Sequence, residues 1–265
     1  MTSNHRNEPI APGVAFVTGG ARGLGNAVAV SFAKEGAKGV VLVDIQDEAT
    51  FQAGKEAVEK YGAKCLTIHA DVRKEEDVER AVAEAVKHFG RIDYAANFAG
   101  ILGPLAPSWE IDLQQWKNVL DINAIGVWTC MKHELKQMLM QNSIKVESGR
   151  VPQQGSIVNC ASVNSIQAGA GTSAYTAAKH AVMGITKTGA LEARSQNIRV
   201  NAVSPGFLQT RLFDGSGLGD GDDILAVYEK RQGRKASFEE VGDVVVLLSS
   251  PRMSLVNGHN LVVDG

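Results

Sequence analysis

Cysteine is scarce in this chain: three in 265 residues, Cys65, Cys130 and Cys160, far apart, odd in number and set among apolar neighbours. That scarcity argues against a disulfide framework or a zinc knuckle and predicts reduced thiols in a core, with no metal site. An excess of one charge is missing too. The formal net charge is −2, and no cluster of lysine and arginine reaches the length of a nucleic-acid patch, so nucleic acid is not an expected partner. No apolar run approaches the roughly 20 residues that cross a bilayer. The opening MTSNHRNEPIAPG is polar, without the apolar segment of a signal peptide. The expectation is a soluble, cytoplasmic protein with no membrane contact. What is present, 44% hydrophobic and 21% charged residues, suits a folded α/β chain with a sizeable core.

Short β-branched runs alternate with longer helical stretches, which is the rhythm of βαβ units. GVAFVTG (residues 13–19), GVVLVDI (39–45), AKCLTIHADV (63–72), IDYAANFAG (92–100), GSIVNCAS (155–162), NIRVNAVSPG (197–206) and HNLVVDG (259–265) predict seven strands. Between the first two, helix is expected over about 26–36. EEDVERAVAEAVKHFG places Val78, Val82, Val86 and Phe89 at helical spacing, and one long helix is predicted over about 113–141. The strands are apolar almost throughout, as when helices cover both faces of a parallel sheet. The expected fold is a single doubly wound α/β domain over 13–265, preceded by a polar extension over 1–12. Two segments break the rhythm. Residues 141–155 read as a polar, solvated connection, and residues 207–237, rich in glycine and charge beyond a strand end, read as a substrate loop or lid.

VTGGARGLG follows the first predicted strand and opens a helix. So tight a turn needs residues without a Cβ, and N–H groups at the helix start can then approach a pyrophosphate. Gly19, Gly23 and Gly25 are the spaced glycines, with Arg22 and Leu24 between them. Asp44 ends the second strand, where a carboxylate accepts from ribose hydroxyls and repels a 2′-phosphate. NAD is therefore favoured. NADP stays open, because Arg22 lies within reach of such a phosphate. Asp71, beside Val72, either caps the next helix or touches an adenine ring.

Tyr175 and Lys179 stand four residues apart in TSAYTAAKHAV, on one helix face. An ammonium near a phenol favours the phenolate, which predicts a lowered tyrosine pKa and a usable general acid or base. Ser162 lies thirteen residues upstream, at the end of GSIVNCAS, where its hydroxyl is placed to bond a substrate oxygen.

With these residues the chain resembles the short-chain dehydrogenase/reductases, over nearly its whole length from Val14 to Gly265. The matching pieces, in order, are TGGARGLG, Asp44, ADV, NFAG, LDINAIG, NCASVNS, YTAAK, VNAVSPGFLQT and VNGHNLVVDG. The resemblance implies a Rossmann-type sheet and a homotetramer or homodimer built by helix pairing. It also implies a catalytic tetrad: Tyr175 exchanging a proton with the substrate oxygen, Lys179 binding the nicotinamide ribose, Ser162 orienting the carbonyl or alcohol, and Asn123 holding a water relay to the lysine. Hydride would pass between substrate carbon and nicotinamide. Asn97, Ala99 and Gly100 match the segment after the fourth strand, with Phe98 replacing the family's usual second asparagine. Pro205 and Gly206 match a turn beside the nicotinamide, and Thr210 a residue bonding its carboxamide or the phosphates.

The expected substrate pocket draws on Ile101, Leu102, residues 163–168, Phe207, Leu208, Leu212 and Phe213. It is largely apolar and suits a small hydrophobic or cyclic secondary alcohol or ketone. An acyl carrier protein would need a basic docking face, for which Arg211, Arg231, Arg234 and Lys235 are too scattered. Two other functions share the fold: net non-redox chemistry on the same cofactor, as in an epimerase, dehydratase or cyclase, and nucleotide binding without turnover.

Overall fold

The structure, a computed structural model, describes residues 9–208, 230, 232–234 and 236–265. Seven strands, β1 (Val14–Thr18), β2 (Gly39–Asp44), β3 (Lys64–His69), β4 (Tyr94–Asn97), β5 (Gly155–Cys160), β6 (Ile198–Pro205) and β7 (Asn260–Val263), form one sheet. All neighbours are parallel, in the order β3-β2-β1-β4-β5-β6-β7. The chain builds outward from β1 to β3 and then returns to the other side of β1, so the crevice beyond the β1 and β4 ends is the switch point where such sheets bind ligands.

Alternation along the strands explains their continuous apolarity. Ala15, Val17, Val40, Leu42 and Ala96 face one layer, made of α1 (Gly23–Lys34), α2 (Glu48–Glu59) and a last helix, α7 (Phe238–Ser249). Phe16, Val41, Val43, Ala95 and Ile157 face the other, made of α3 (Glu75–Phe89), α5 (Val127–Met140) and α6 (Ser173–Ala193). A strand between two helical layers has no polar face to show. Helix α3 buries Val78, Ala81, Val82 and Ala85, begins with Glu75, Glu76 and Asp77, and stops at Gly90 in the left-handed conformation, φ 85°. Its charges oppose the helix dipole at both ends.

The long helix expected over 113–141 is interrupted. Helix α4 (Leu113–Leu120) widens into a π-helical segment, Asp121–Gly126, before resuming as α5. The widened segment contains Asn123, fully buried, whose Nδ2 donates to the Ile101 carbonyl at 2.7 Å while its Oδ1 accepts from Ile101 N–H at 3.1 Å. A π-turn at a functional site is a common way to re-aim one residue. The connection over 141–155 is less solvated than expected: Gln153 is buried and accepts from the Arg199 guanidinium at 3.2 Å. Of the residues 207–237 read as a substrate loop, 209–229, 231 and 235 lie outside the described residues, as do residues 1–8 of the polar extension.

Candidate active site

A cavity of about 2420 Å³ opens across the carboxyl ends of the strands. At its centre the β1–α1 turn brings Gly19, Arg22, Gly23, Leu24 and Gly25 to the wall. Gly19 has φ +66°, and a Cβ there would lie 2.8 Å from both the Phe98 carbonyl and the Ala99 nitrogen. Thr18 Oγ1 accepts from the N–H groups of Phe98 and Ala99 at 3.2 and 3.3 Å, tying the β1 exit to the β4 exit. No side chain caps the start of α1. A helix N-terminus left uncapped in a cradle lined by glycine fits a pyrophosphate.

At one end of the cavity, Asp44 Oδ2 accepts from Ala21 N–H at 3.1 Å and Oδ1 from Ile45 N–H at 2.8 Å. Each oxygen keeps a lone pair for a hydroxyl. The exposed Arg22 borders the same end. Asp71 and Val72 line it too, but Asp71 is not a helix cap: Lys74 holds the N-cap position of α3, and the Asp71 carboxylate takes the Arg73 guanidinium at 2.6 Å. A hydrogen bond from Arg73 holds that carboxyl below its usual range.

The other end carries the serine, tyrosine and lysine expected to act on the substrate. Ser162 follows β5, and Tyr175 and Lys179 share a face of α6. All three line the cavity, together with Ala99, Gly100, Pro205 and Gly206. Lys179 is buried, its Nζ donating to the Cys160 carbonyl at 2.7 Å and lying 5.4 Å from the Tyr175 ring centroid. The net electrostatics of Tyr175 differ from the expected lowering. Burial pushes the phenol above its ordinary value, and the Lys179 ammonium and a Ser162 hydrogen bond oppose that push without overcoming it. Sequence spacing carries the lysine but not the burial.

Three expected site residues are placed differently or not at all. Asn123 stands one layer behind the cavity wall, bonded to Ile101. The Asn97 side chain points away from the cavity. As the strand residue two after Ala95, it faces the α5 layer, where its Nδ2 bonds Glu134 and Asn159. Thr210 lies outside the described residues, as do Leu212, Phe213, Arg211, Arg231 and Lys235. Of the expected pocket, Ile101, Leu102, Val163, Asn164, Gln167, Phe207 and Leu208 line the cavity, whereas Ser165 turns inward to Ser204 at 2.9 Å. Leu105, Trp109 and Phe238 also line it and were missed, because they come from loops and a helix start without periodic signal. Asn164 adds a polar contact that the apolar reading of residues 163–168 does not carry. Its Nδ2 donates to Thr172 and Thr176 at 3.3 and 3.2 Å, clamping the Ser162 loop to the start of α6.

A family model described as enoyl-(acyl carrier protein) reductase matches residues 19–265. A short-chain dehydrogenase of Penicillium roqueforti, anuF, is 37% identical over 96% of this chain and 95% of its own. The chain belongs to the short-chain dehydrogenase/reductase family. A mitochondrial borneol dehydrogenase of Lavandula x intermedia is 36% identical over 95% of this chain and 89% of its own. Among solved structures, levodione reductase superposes with a TM-score of 0.87 at 35% identity, covering 96% of this chain and 97% of that one. NAD+-bound xylitol dehydrogenase follows at 0.84 and 29%, covering 97% and 100%. The protein is thus an oxidoreductase of the alcohol and ketone class. Among the described residues no helix is long and apolar enough to cross a membrane.

Proposed function

We propose that the protein is an NAD(H)-dependent enzyme interconverting a secondary alcohol and a ketone on a small, mostly apolar or cyclic substrate, with Tyr175 as general acid and base. The observation that carries this reading is the convergence of Ser162, Tyr175 and Lys179 on one cavity wall, with Lys179 fixed by the Cys160 carbonyl. When bound, the nicotinamide supplies the hydride exchange. The chain's own groups do the rest. The Ser162 hydroxyl orients the substrate oxygen, Tyr175 gives or takes its proton, and the buried Lys179 ammonium favours the phenolate when it forms. Asn123 acts from behind by bracing Ile101.

The NAD preference rests on Asp44, held at the cavity end with lone pairs free for ribose hydroxyls. A ring-shaped substrate is supported by the apolar wall of Leu102, Leu105, Val163 and Phe207 and by relatives named for borneol and levodione, both cyclic compounds. Exposed Ile125 and Trp128 on the long helical run suit pairing into a homodimer or homotetramer. The test is an assay of cyclic secondary alcohols with NAD and NADP, alongside NADH and NADPH binding titrations. NADH preference and turnover of at least one cyclic alcohol are expected; binding of NADPH alone would overturn the cofactor reading.

A further inference from the structure

Behind the cavity, on the sheet face covered by α5 and α6, lies a chain of polar side chains that the proposed chemistry does not use. Glu134 of α5 is 0% exposed, Asn97 of β4 is 1%, and Asn159 of β5 and Thr186 of α6 are both 0%. Asn97 Nδ2 donates to Glu134 Oε2 and to Asn159 Oδ1, each at 3.0 Å, and Asn159 Nδ2 donates to Thr186 Oγ1 at 3.0 Å. Two oxygens of this enclosure have no donor among the described residues, Glu134 Oε1 and Asn97 Oδ1.

An ionised Glu134 would leave a charged oxygen buried without donor or counter-charge, one of the more costly arrangements in a protein core. Among the described residues, the groups joined to this chain or flanking it offer no cation. They are the Cys130 thiol one turn earlier on α5, the two amides of β4 and β5, and the Thr186 hydroxyl of α6. The nearby basic side chains are engaged elsewhere: Lys132 and His133 bond Glu75 of α3, and Lys179 bonds the Cys160 carbonyl. A single proton would remove the buried charge and give the Glu134 carboxyl a donor next to the Asn97 amide, whose Oδ1 has none.

We propose that Glu134 is a neutral carboxylic acid and a positioning residue, donating a hydrogen bond into the Asn97–Asn159–Thr186 chain and so fixing the strand ends that carry Ala99, Gly100 and Ser162 into the cavity. It rests on the proposed function only for the roles of those three residues. The strand geometry is direct: Asn97 precedes Phe98, Ala99 and Gly100, and Asn159 precedes Cys160, whose carbonyl seats Lys179. In keeping with this, burial pushes the Glu134 carboxyl up to about 8, the Asn97 bond opposing.

The linkage has a definite sign. An unfolded glutamate titrates near 4.3. Between there and about 8 the folded chain keeps a proton that the unfolded chain has released, so stability falls as pH rises across that window and levels off above it. E134Q carries the neutral form permanently. Its melting temperature is expected to exceed wild type by a margin that widens up to about pH 8 and is constant beyond. The infrared difference between wild type and E134Q near neutral pH should contain a protonated-carboxyl stretch. E134L serves the same subtraction if E134Q folds poorly. For positioning, E134Q should bind NADH within about twofold of wild type, whereas E134L, with no donor for Asn97, should bind about tenfold more weakly. Absence of the infrared band, or parallel melting curves for wild type and E134Q, would overturn the neutral acid; NADH affinity unchanged in E134L would overturn the positioning role. The infrared and melting readouts do not depend on turnover, so a failure of the alcohol assay bears on the proposed function and not on Glu134.

Discussion

Lys179 and Cys160 are joined by a 2.7 Å hydrogen bond from the buried ammonium to a main-chain carbonyl two residues before Ser162. The bond ties α6, which carries Tyr175, to the strand end that carries the serine. Lys179 thus has a structural tie as well as a charge. Lys179→Met keeps the length and apolar stem but deletes both. It should lower kcat by about 10²–10⁴ and also weaken NADH binding, because the tie at the cavity wall is lost. Steady-state kinetics with a parallel NADH titration separates the two effects.

Tyr175→Phe tests the proton transfer alone. The ring and its packing persist, the hydroxyl goes, and cofactor affinity should stay within about twofold while turnover falls by at least about 10²-fold. A fully active phenylalanine variant would remove Tyr175 from the mechanism.

The pH profile follows from the burial of that phenol. Tyr175 is held above its ordinary value of about 10, with Lys179 opposing, so near neutral pH it is the protonated acid. Ketone reduction, which draws on the acid, should be flat through neutral pH and fall only in alkali. Alcohol oxidation, which draws on the base, should rise with pH across the alkaline range. In Lys179→Met the opposing charge is gone, so the residual oxidation profile should move further alkaline. Initial rates in both directions across pH provide the check.

The sequence and the structure agree most closely where the signal is local. Seven apolar runs became seven strands because parallel strands between helical layers must be apolar on both faces, and Tyr175 and Lys179 met because four residues make about one helical turn. Asn97, by contrast, sits in a motif beside the cavity, yet strand alternation sends its side chain to Glu134. Asn123 in the π-segment bonds Ile101, 22 residues away, and the raised phenol of Tyr175 comes first from its desolvation in the fold. None of these has a period or a spacing to read. They are properties of contacts made only in the folded chain.

In the proposed reading Asp44 links cofactor choice to the shape of the glycine turn, because the carboxylate assigned to the ribose hydroxyls also accepts from Ala21 N–H at 3.1 Å. Asp44→Ala should therefore weaken NADH about 10–100-fold, since hydrogen bonds to a charged group are worth about 1.5–3 kcal/mol. NADPH, no longer repelled by the carboxylate, should bind more tightly than it does to wild type. Binding titrations with both cofactors decide the matter, and a melting curve reads the loss of the loop contact separately.

Gly19 and Gly23 form a matched pair for separating backbone conformation from close contact. Both have positive φ, +66° and +60°, so alanine at either costs about 1–2 kcal/mol for the left-handed region. At Gly23 a Cβ would meet nothing within 4 Å, whereas at Gly19 it would stand 2.8 Å from the Phe98 carbonyl and the Ala99 nitrogen. That is well inside van der Waals contact, and both neighbours are main chain, so the turn and the β4 exit would have to move apart. Gly23→Ala is expected to lose about 1–2 kcal/mol of stability with a modest effect on NADH binding. Gly19→Ala should lose about 2–4 kcal/mol and most of its NADH affinity, because separation of the two exits opens the cradle in which the phosphates would sit. Denaturant melts and NADH titrations on the two variants measure the difference, and equal losses in both would show that contact between the turn and β4 does not shape the site.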